Sequence, residues 1–231
     1  MAGKLKKITE AARDNMLPTF TGVMKKWAFV APEIKWWLRA QAIADNYSEP
    51  MSGMFGAIKP EKYLAIGALW GTLESYMLKK TGWHPSVIIL CDVDAEMYNK
   101  ERDSLAYAYK NVTSSKYGDY KGHFIAIRDT SHSEETLNTL FSLGPFDMIY
   151  VDGDHIEEGA YADICLAYDL LAPGGIMLVH DLDLPEDDVR NAYNRFIKEN
   201  TGIKHAEIRD PEVKFGIGII ERQENDKPLS A

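Results

Sequence analysis

The densest chemistry in this 231-residue sequence lies in two short stretches, Asp152-Gly153-Asp154-His155 and His180-Asp181-Leu182-Asp183. Each follows an apolar run, so acids and imidazoles gather where two strands would end. Carboxylates crowded in this way raise one another's cost of ionisation unless a cation or a proton compensates them. A divalent cation or a catalytic base is therefore the natural reading. Asp152 and Asp181, the first acid past each run, are the expected metal pair. His180 or Asp154 is the candidate third ligand, with water or substrate completing the shell. The plainer alternatives are that His180 faces the core at a strand end and that Asp183 sits with Asp187 and Asp188 in a solvated loop.

Three further turns carry polar or glycine signals. Gly67-Ala68-Leu69-Trp70-Gly71 combines one glycine suited to a tight turn with a second that admits a ligand or a helix close to the backbone. It lacks both the G-x-G-x-x-G spacing of a dinucleotide site and the Lys-Ser/Thr of a phosphate-binding loop. In Asp92-Val93-Asp94, Asp92 is placed to accept hydrogen bonds from both hydroxyls of a ribose. Asp94 reads more naturally as the cap of a helix beginning at Ala95-Glu96. Within Arg128-Asp129-Thr130-Ser131, Asp129 could reach an adenine amino group or, equally, cap a helix.

These turns matter only if one scaffold brings them together. Apolar runs suited to strands fall at Tyr63–Ile66, Ser86–Cys91, His123–Ile127, Phe146–Val151 and Gly175–His180. Helical spacing lies between them at Leu73–Lys80, Ala95–Tyr109, Glu134–Leu143 and Ala160–Leu171. Such alternation implies an α/β, doubly wound and mostly parallel sheet of seven strands. The last two, Ile203–Arg209 and Phe215–Glu221, are joined too tightly for a helix and should form a C-terminal antiparallel hairpin at one sheet edge. In open sheets of this kind ligands bind beyond the carboxyl ends of the strands, where all five turns would meet.

Residues 1–60 do not share the alternation. Met24–Ala44 carries Trp27, Trp36 and Trp37 among basic residues, with Pro32 dividing two amphipathic helices, and Asn46–Pro60 reads as a loop because of Pro50, Gly53, Gly56 and Pro60. The expected organisation is an N-terminal helical cap over 1–60, a Rossmann-like core over 61–221 and a polar, frayed tail over 222–231. Net charge is -9 and unevenly spread: residues 1–60 hold 9 Lys/Arg against 5 Asp/Glu, leaving 17 against 30 in the rest. So acidic a body disfavours nucleic acid as a partner, because phosphate binding needs a basic face. Cys91 and Cys165 sit in apolar runs and read as core thiols of a reducing compartment. No apolar stretch reaches the ~18 residues of a membrane span, and the N-terminus has no apolar signal region, so the expected location is cytoplasmic.

The glycine turn, Asp92, the run FDMIYVDGDH at Phe146–His155, LLAPGG at Leu170–Gly175 and the closing hairpin together resemble the class I S-adenosylmethionine-dependent methyltransferases. The likeness covers about residues 60–221 and is closest to the metal-assisted O-methyltransferase branch, which carries a D-G-D-H turn and a V-H-D strand end like Val179–Asp181. It implies that Gly67, Ala68 and Gly71 line the methionine arm of S-adenosyl-L-methionine. Asp92 with Val93 would hold the ribose and Asp129 the adenine, with Asp152 also bordering the cofactor. Asp152, Asp181 and His180 would hold Mg or another divalent cation, and His155 or His180 would be the base. One departure stands out: the family carries an acid two residues before the first glycine, where this chain has Ala65. The amino end of the cofactor is then held either more weakly or by another group such as Glu74. The V-H-D end also differs from the paired acids, or acid and amide, that bind magnesium in the branch.

The expected activity is methylation of a hydroxyl on a small-molecule or sugar acceptor, with residues 1–60 helping to shape its pocket. Two rivals stand beside it: a nucleic-acid or protein methyltransferase docking through the basic N-terminal segment, and a catalytically inactive member of the fold, for which Ala65 speaks. Oligomeric state, a homo-oligomer included, is open.

Overall fold

The computed structural model describes residues 7–8, 48–93, 104–184, 188–210, 213–226 and 229. The expected helices and Trp cluster of Met24–Ala44, the cap at Asp94 and the acid at Asp187 lie outside the described residues. A seven-stranded sheet runs in the order β3-β2-β1-β4-β5-β7-β6. Its strands are β1 (Lys62–Ile66), β2 (Val87–Asp92), β3 (His123–Arg128), β4 (Phe146–Val151), β5 (Leu171–Val179), β6 (Lys204–Asp210) and β7 (Val213–Glu221). Strands β1 to β5 pair in parallel, while β7 is antiparallel to both β5 and β6. The hairpin expected at one edge is present, with β7 inserted inward and β6 outermost. Strand order reverses between β1 and β4, which puts the ends of those two strands at the switch point where such sheets bind ligands.

Alternation along the strands divides the core into two layers. Tyr63 and Ala65 of β1 pack on one face and Leu64 and Ile66 on the other. The first face is covered by a helix at 48–58 (α1), by α2 (Thr72–Thr81) and by α3 (Ser104–Thr113). The second is covered by α4 (Glu134–Leu143), α5 (Glu157–Leu170) and α6 (Val189–Glu199). Central strands buried on both faces need apolar residues at consecutive positions, which is why β1, β2 and β4 read as unbroken apolar runs.

Four sequence expectations require correction. Residues 48–58 are helical rather than loop: Pro50 lies in the first turn described, where a missing N–H costs little, and Met51, Met54 and Phe55 are buried at helical spacing. Helix α6, with Val189, Ala192, Tyr193 and Phe196 buried, occupies a stretch in which no helix was expected. Strand β5 begins at Leu171 rather than Gly175, because pairing jumps from Phe146↔Leu171 to Met148↔Ile176 and bulges out Ala172–Gly175. The start of the expected frayed tail is anchored. Buried Arg222 donates to the carbonyls of Tyr168, Asp169 and Leu171 at the end of α5, where a cation also favours the helix dipole. Asp226 accepts from Tyr168 Oη at 2.6 Å.

Candidate active site

The five polar turns do converge at the carboxyl ends of the parallel strands, and backbone contacts lock two of them together. Gly67 N–H donates to the Cys91 carbonyl and Asp152 N–H to the Ile66 carbonyl, both at 2.9 Å, so the ladder runs past the strand ends. Gly67 has φ +78, and a Cβ there would stand 1.8 Å from the Asp152 carbonyl oxygen. The turn therefore needs glycine for its left-handed backbone and for its contact with the D-G-D-H turn. Gly71 also has a positive φ and lies under Ala108 of α3. Asp92, 8% exposed, accepts the Leu69 N–H on Oδ2 at 2.6 Å and so ties the end of β2 to the glycine turn. Val93 beyond it is exposed, whereas Ala68 is buried.

At the β3 end, Asp129 is not the helix cap expected of it as the alternative to an adenine contact. Its carboxylate accepts from Thr130 N–H at 2.8 Å, from Ser133 Oγ and from Thr136 Oγ1, while Ser133 caps α4. The Ser133 hydroxyl and the Thr130 amide hold the Asp129 carboxyl below its ordinary range.

The acid–imidazole cluster forms at the ends of β4 and β5. His180 Nδ1 lies 2.9 Å from Asp181 Oδ1 and 3.2 Å from Asp152 Oδ1. His155 Nε2 lies farther out, 3.6 Å from Asp152 Oδ1 and 3.9 Å from Asp181 Oδ2. Tyr150 Oη donates to Asp152 Oδ2 at 3.1 Å from beneath. Burial alone would lower the His180 pKa, but the charge of Asp152, its hydrogen bond and the contacts with Asp181 push it up to about 10. Burial would likewise raise Asp152, yet His180 and His155 outweigh it and hold that carboxyl well below the usual range. In this arrangement His180 Nδ1 faces two carboxylates, which favour the protonated ring.

The three groups whose ligand atoms lie within 4.8 Å of one another are Asp152, His155 and Asp181. Asp181 is 6% exposed with φ +57, and its Oδ1 is the oxygen that faces His180 Nδ1. Two carboxylates and one imidazole fit a divalent cation. His155 thus takes the place in the donor set that the sequence offered to His180. Asp154 is not in that set, because its carboxylate turns over the start of α5 and accepts the Ile156 N–H. Asp183 does not sit in a solvated loop; it pairs with Arg190, which also reaches Glu207 and the Leu182 carbonyl.

Two buried acids complete the site, only one of them noticed in the sequence. Asp163 of α5, 2% exposed, accepts from Ser131 Oγ at 2.6 Å and from Asp154 N–H at 3.1 Å, and its Oδ1 lies 2.9 Å from His132 Nε2. One carboxylate thereby joins the β3 loop to the D-G-D-H turn. The signal for it was an acid on the apolar face formed by Ala160, Ile164 and Ala167. Glu74 of α2, 2% exposed, accepts from Tyr63 Oη at 2.9 Å. Burial, assisted by the Asp152 charge, raises it to about 7.

Residues 72–182 match a family model described as a methyltransferase domain. No curated protein matches the sequence. Among solved structures, similar folds include an O-methyltransferase from Bacillus cereus in complex with SAH, at 13% identity and a TM-score of 0.60, covering 90% of this chain and 99% of that one. A methyltransferase from Podospora anserina bound to SAH shares 20% identity with a TM-score of 0.59, covering 89% and 94% of the two chains. The O-methyltransferase TomG from Streptomyces achromogenes, in complex with SAM, shares 16% identity with a TM-score of 0.55, covering 96% and 90%. The seven-stranded sheet is the fold of these methyltransferases, and the methyltransferase-domain match lies within it, from α2 to just past β5.

Proposed function

We propose that the chain transfers a methyl group from S-adenosylmethionine to a hydroxyl of a small molecule, with Asp152, His155 and Asp181 organising the acceptor. The observation that carries this reading is the donor set itself: two carboxylates and an imidazole with ligand atoms within 4.8 Å of one another, beside the sheet's switch point. The O-methyltransferase neighbours support the class, and TomG, described as involved in tomaymycin synthesis, supports a small-molecule acceptor. A divalent cation bound there would lower the pKa of an acceptor hydroxyl and orient it.

The chain's own residues divide the remaining work. The glycine turn at Gly67–Gly71 would border the methionine arm and Asp92 the ribose. His180, between Asp152 and Asp181, holds both side chains in place. His155, whose side chain is 37% exposed, is the imidazole facing outward. It either completes the donor set or, left free, takes the hydroxyl proton. The alkoxide oxygen then forms a bond to the methyl carbon as the carbon–sulfur bond breaks, its electron pair going to sulfur. In-line positioning supplies most of the acceleration in such a transfer.

Activity on hydroxyl acceptors with and without a chelator tests the metal part, together with an Asp181→Asn variant. Loss of activity on chelation and a fall of about 100-fold in Asp181→Asn are expected. Full activity in both would leave His155 as the base without a metal. Residues 1–60 are proposed to help shape the acceptor pocket. Of that segment, Ile8 and α1 pack in the same core layer as β1.

A further inference from the structure

Asp163 is a buried carboxylate to which the proposed chemistry gives no role. It lies on the face of α5 that also buries Ala160, Ile164 and Ala167, where an acid is costly unless its oxygens are satisfied. Both oxygens are engaged. Oδ1 accepts from Ser131 Oγ at 2.6 Å and lies 2.9 Å from His132 Nε2, while Oδ2 accepts the Asp154 N–H at 3.1 Å. The contact with Asp163 in turn pushes the His132 pKa up.

The place of that Asp154 amide in the chain decides what the carboxylate can do. Asp154 stands between Asp152 and His155, two members of the donor set. The ladder between β4 and β1 ends at the Asp152 N–H, which donates to the Ile66 carbonyl at 2.9 Å, and the next backbone hold is the Asp188 N–H on the His155 carbonyl at 3.1 Å. Between these two holds the turn rests on Asp163. Gly153 is seated against the same side chain, since a Cβ there would stand 2.5 Å from Asp163 Oδ2 and 3.1 Å from Ile66 Cγ2. One carboxylate, fixed by α5 and by the β3 loop, therefore meets the turn at the two residues that separate the donors. Groups that orient ligands from behind in this way change metal affinity about 10–100-fold when they are removed.

We infer that Asp163 is a positioning residue for the donor set: by holding the Asp154 amide and seating Gly153, it sets where Asp152 and His155 stand relative to Asp181. The inference rests on the donor-set reading above, and the test separates the two. Isothermal titration of the full chain with Mn²⁺ compares wild type with Asp163→Ala, Asp163→Asn and Tyr168→Phe. The Ala variant removes both the charge and the acceptor and should bind Mn²⁺ about tenfold or more weakly. The Asn variant removes the charge but keeps an oxygen for the Asp154 N–H, so its affinity should stay within about threefold of wild type. Tyr168→Phe removes the hydrogen bond to Asp226 from the same helix, away from the turn, and should bind Mn²⁺ as wild type does. Wild-type affinity in Asp163→Ala overturns the inference. So does an Asn variant as weak as Ala, which would make charge the cause, or an equal loss in Tyr168→Phe, which would make it a loosened α5. If Asp163→Ala does not fold, Gly153→Ala takes its place. That variant keeps every charge and pushes the turn off Asp163, so a loss of about tenfold is again expected and wild-type affinity would overturn the inference. A wild-type chain that binds no Mn²⁺ would overturn the donor-set reading and this inference with it.

Discussion

His180 shows how one side chain can be read correctly by type and wrongly by role. Its position beyond β5 marked it for chemistry, but whether an imidazole is a ligand, a base or a counter-ion depends on what stands at 3 Å from each nitrogen. Here Nδ1 faces two carboxylates, an arrangement that favours a charged ring between them. Replacing His180 with Ala leaves Asp152 and Asp181 opposed with no cation between them. A loss of about 3 kcal/mol in urea denaturation at pH 7 is expected, in the range for breaking a buried pair by removing one partner. Glu74 gives the opposite sign. Its folded pKa of about 7 lies above the ordinary 4.5, so the stability it contributes as a neutral acid is full below 4.5 and is lost as pH rises through about 7. The ligand-free Glu74→Gln variant should therefore gain on wild type between pH 5 and pH 8, by up to about 3 kcal/mol, in paired denaturation curves. The burial of Glu74 was not legible beforehand, because an acid in a helix reads the same whether it faces water or a tyrosine.

The elements were far more legible than their contacts. Apolar runs identified the five parallel strands, most plainly the central β1, β2 and β4, which are covered on both faces. What escaped were elements whose packing face is diluted. Pro50, Gly53 and Gly56 disguised α1, and Arg190, Arg195 and Lys198 disguised α6, although Val189, Ala192, Tyr193 and Phe196 make its buried stripe. Contacts between turns were invisible because they join residues far apart in sequence, as Gly67 meets Asp152 and Ser131 meets Asp163. Gly67→Ala would force a Cβ onto the Asp152 carbonyl in a left-handed backbone. It is expected to cost about 2–4 kcal/mol and to abolish detectable cofactor binding in a titration. Asp163→Ala strands Ser131 Oγ and the Asp154 N–H together, with a similar expected cost. Amide hydrogen exchange should then accelerate at both 129–133 and 152–156, whereas faster exchange in one stretch alone would show that Asp163 does not couple them.

At the scale of the molecule, the acidic balance resolves into two parts with different physical roles. Asp92, Asp152, Asp163 and Asp181 are held by backbone amides, hydroxyls and imidazoles at one edge of one sheet, and Asp129 is held beside them at the start of α4. Others, such as Glu158 with Arg195, are exposed ion pairs that contribute little to stability. The parallel sheet, its closing hairpin and the gathering of the acids at strand ends followed from the sequence pattern, while strand order, the switch point and the division of labour among the acids required the structure. The central claim is that this edge binds S-adenosylmethionine, and isothermal titration of the full chain with that ligand, with and without magnesium, tests it most directly. The account predicts saturable one-site binding that persists in Asp181→Asn and is lost in Gly67→Ala. Absence of binding by the wild-type chain, even with magnesium present, would contradict it.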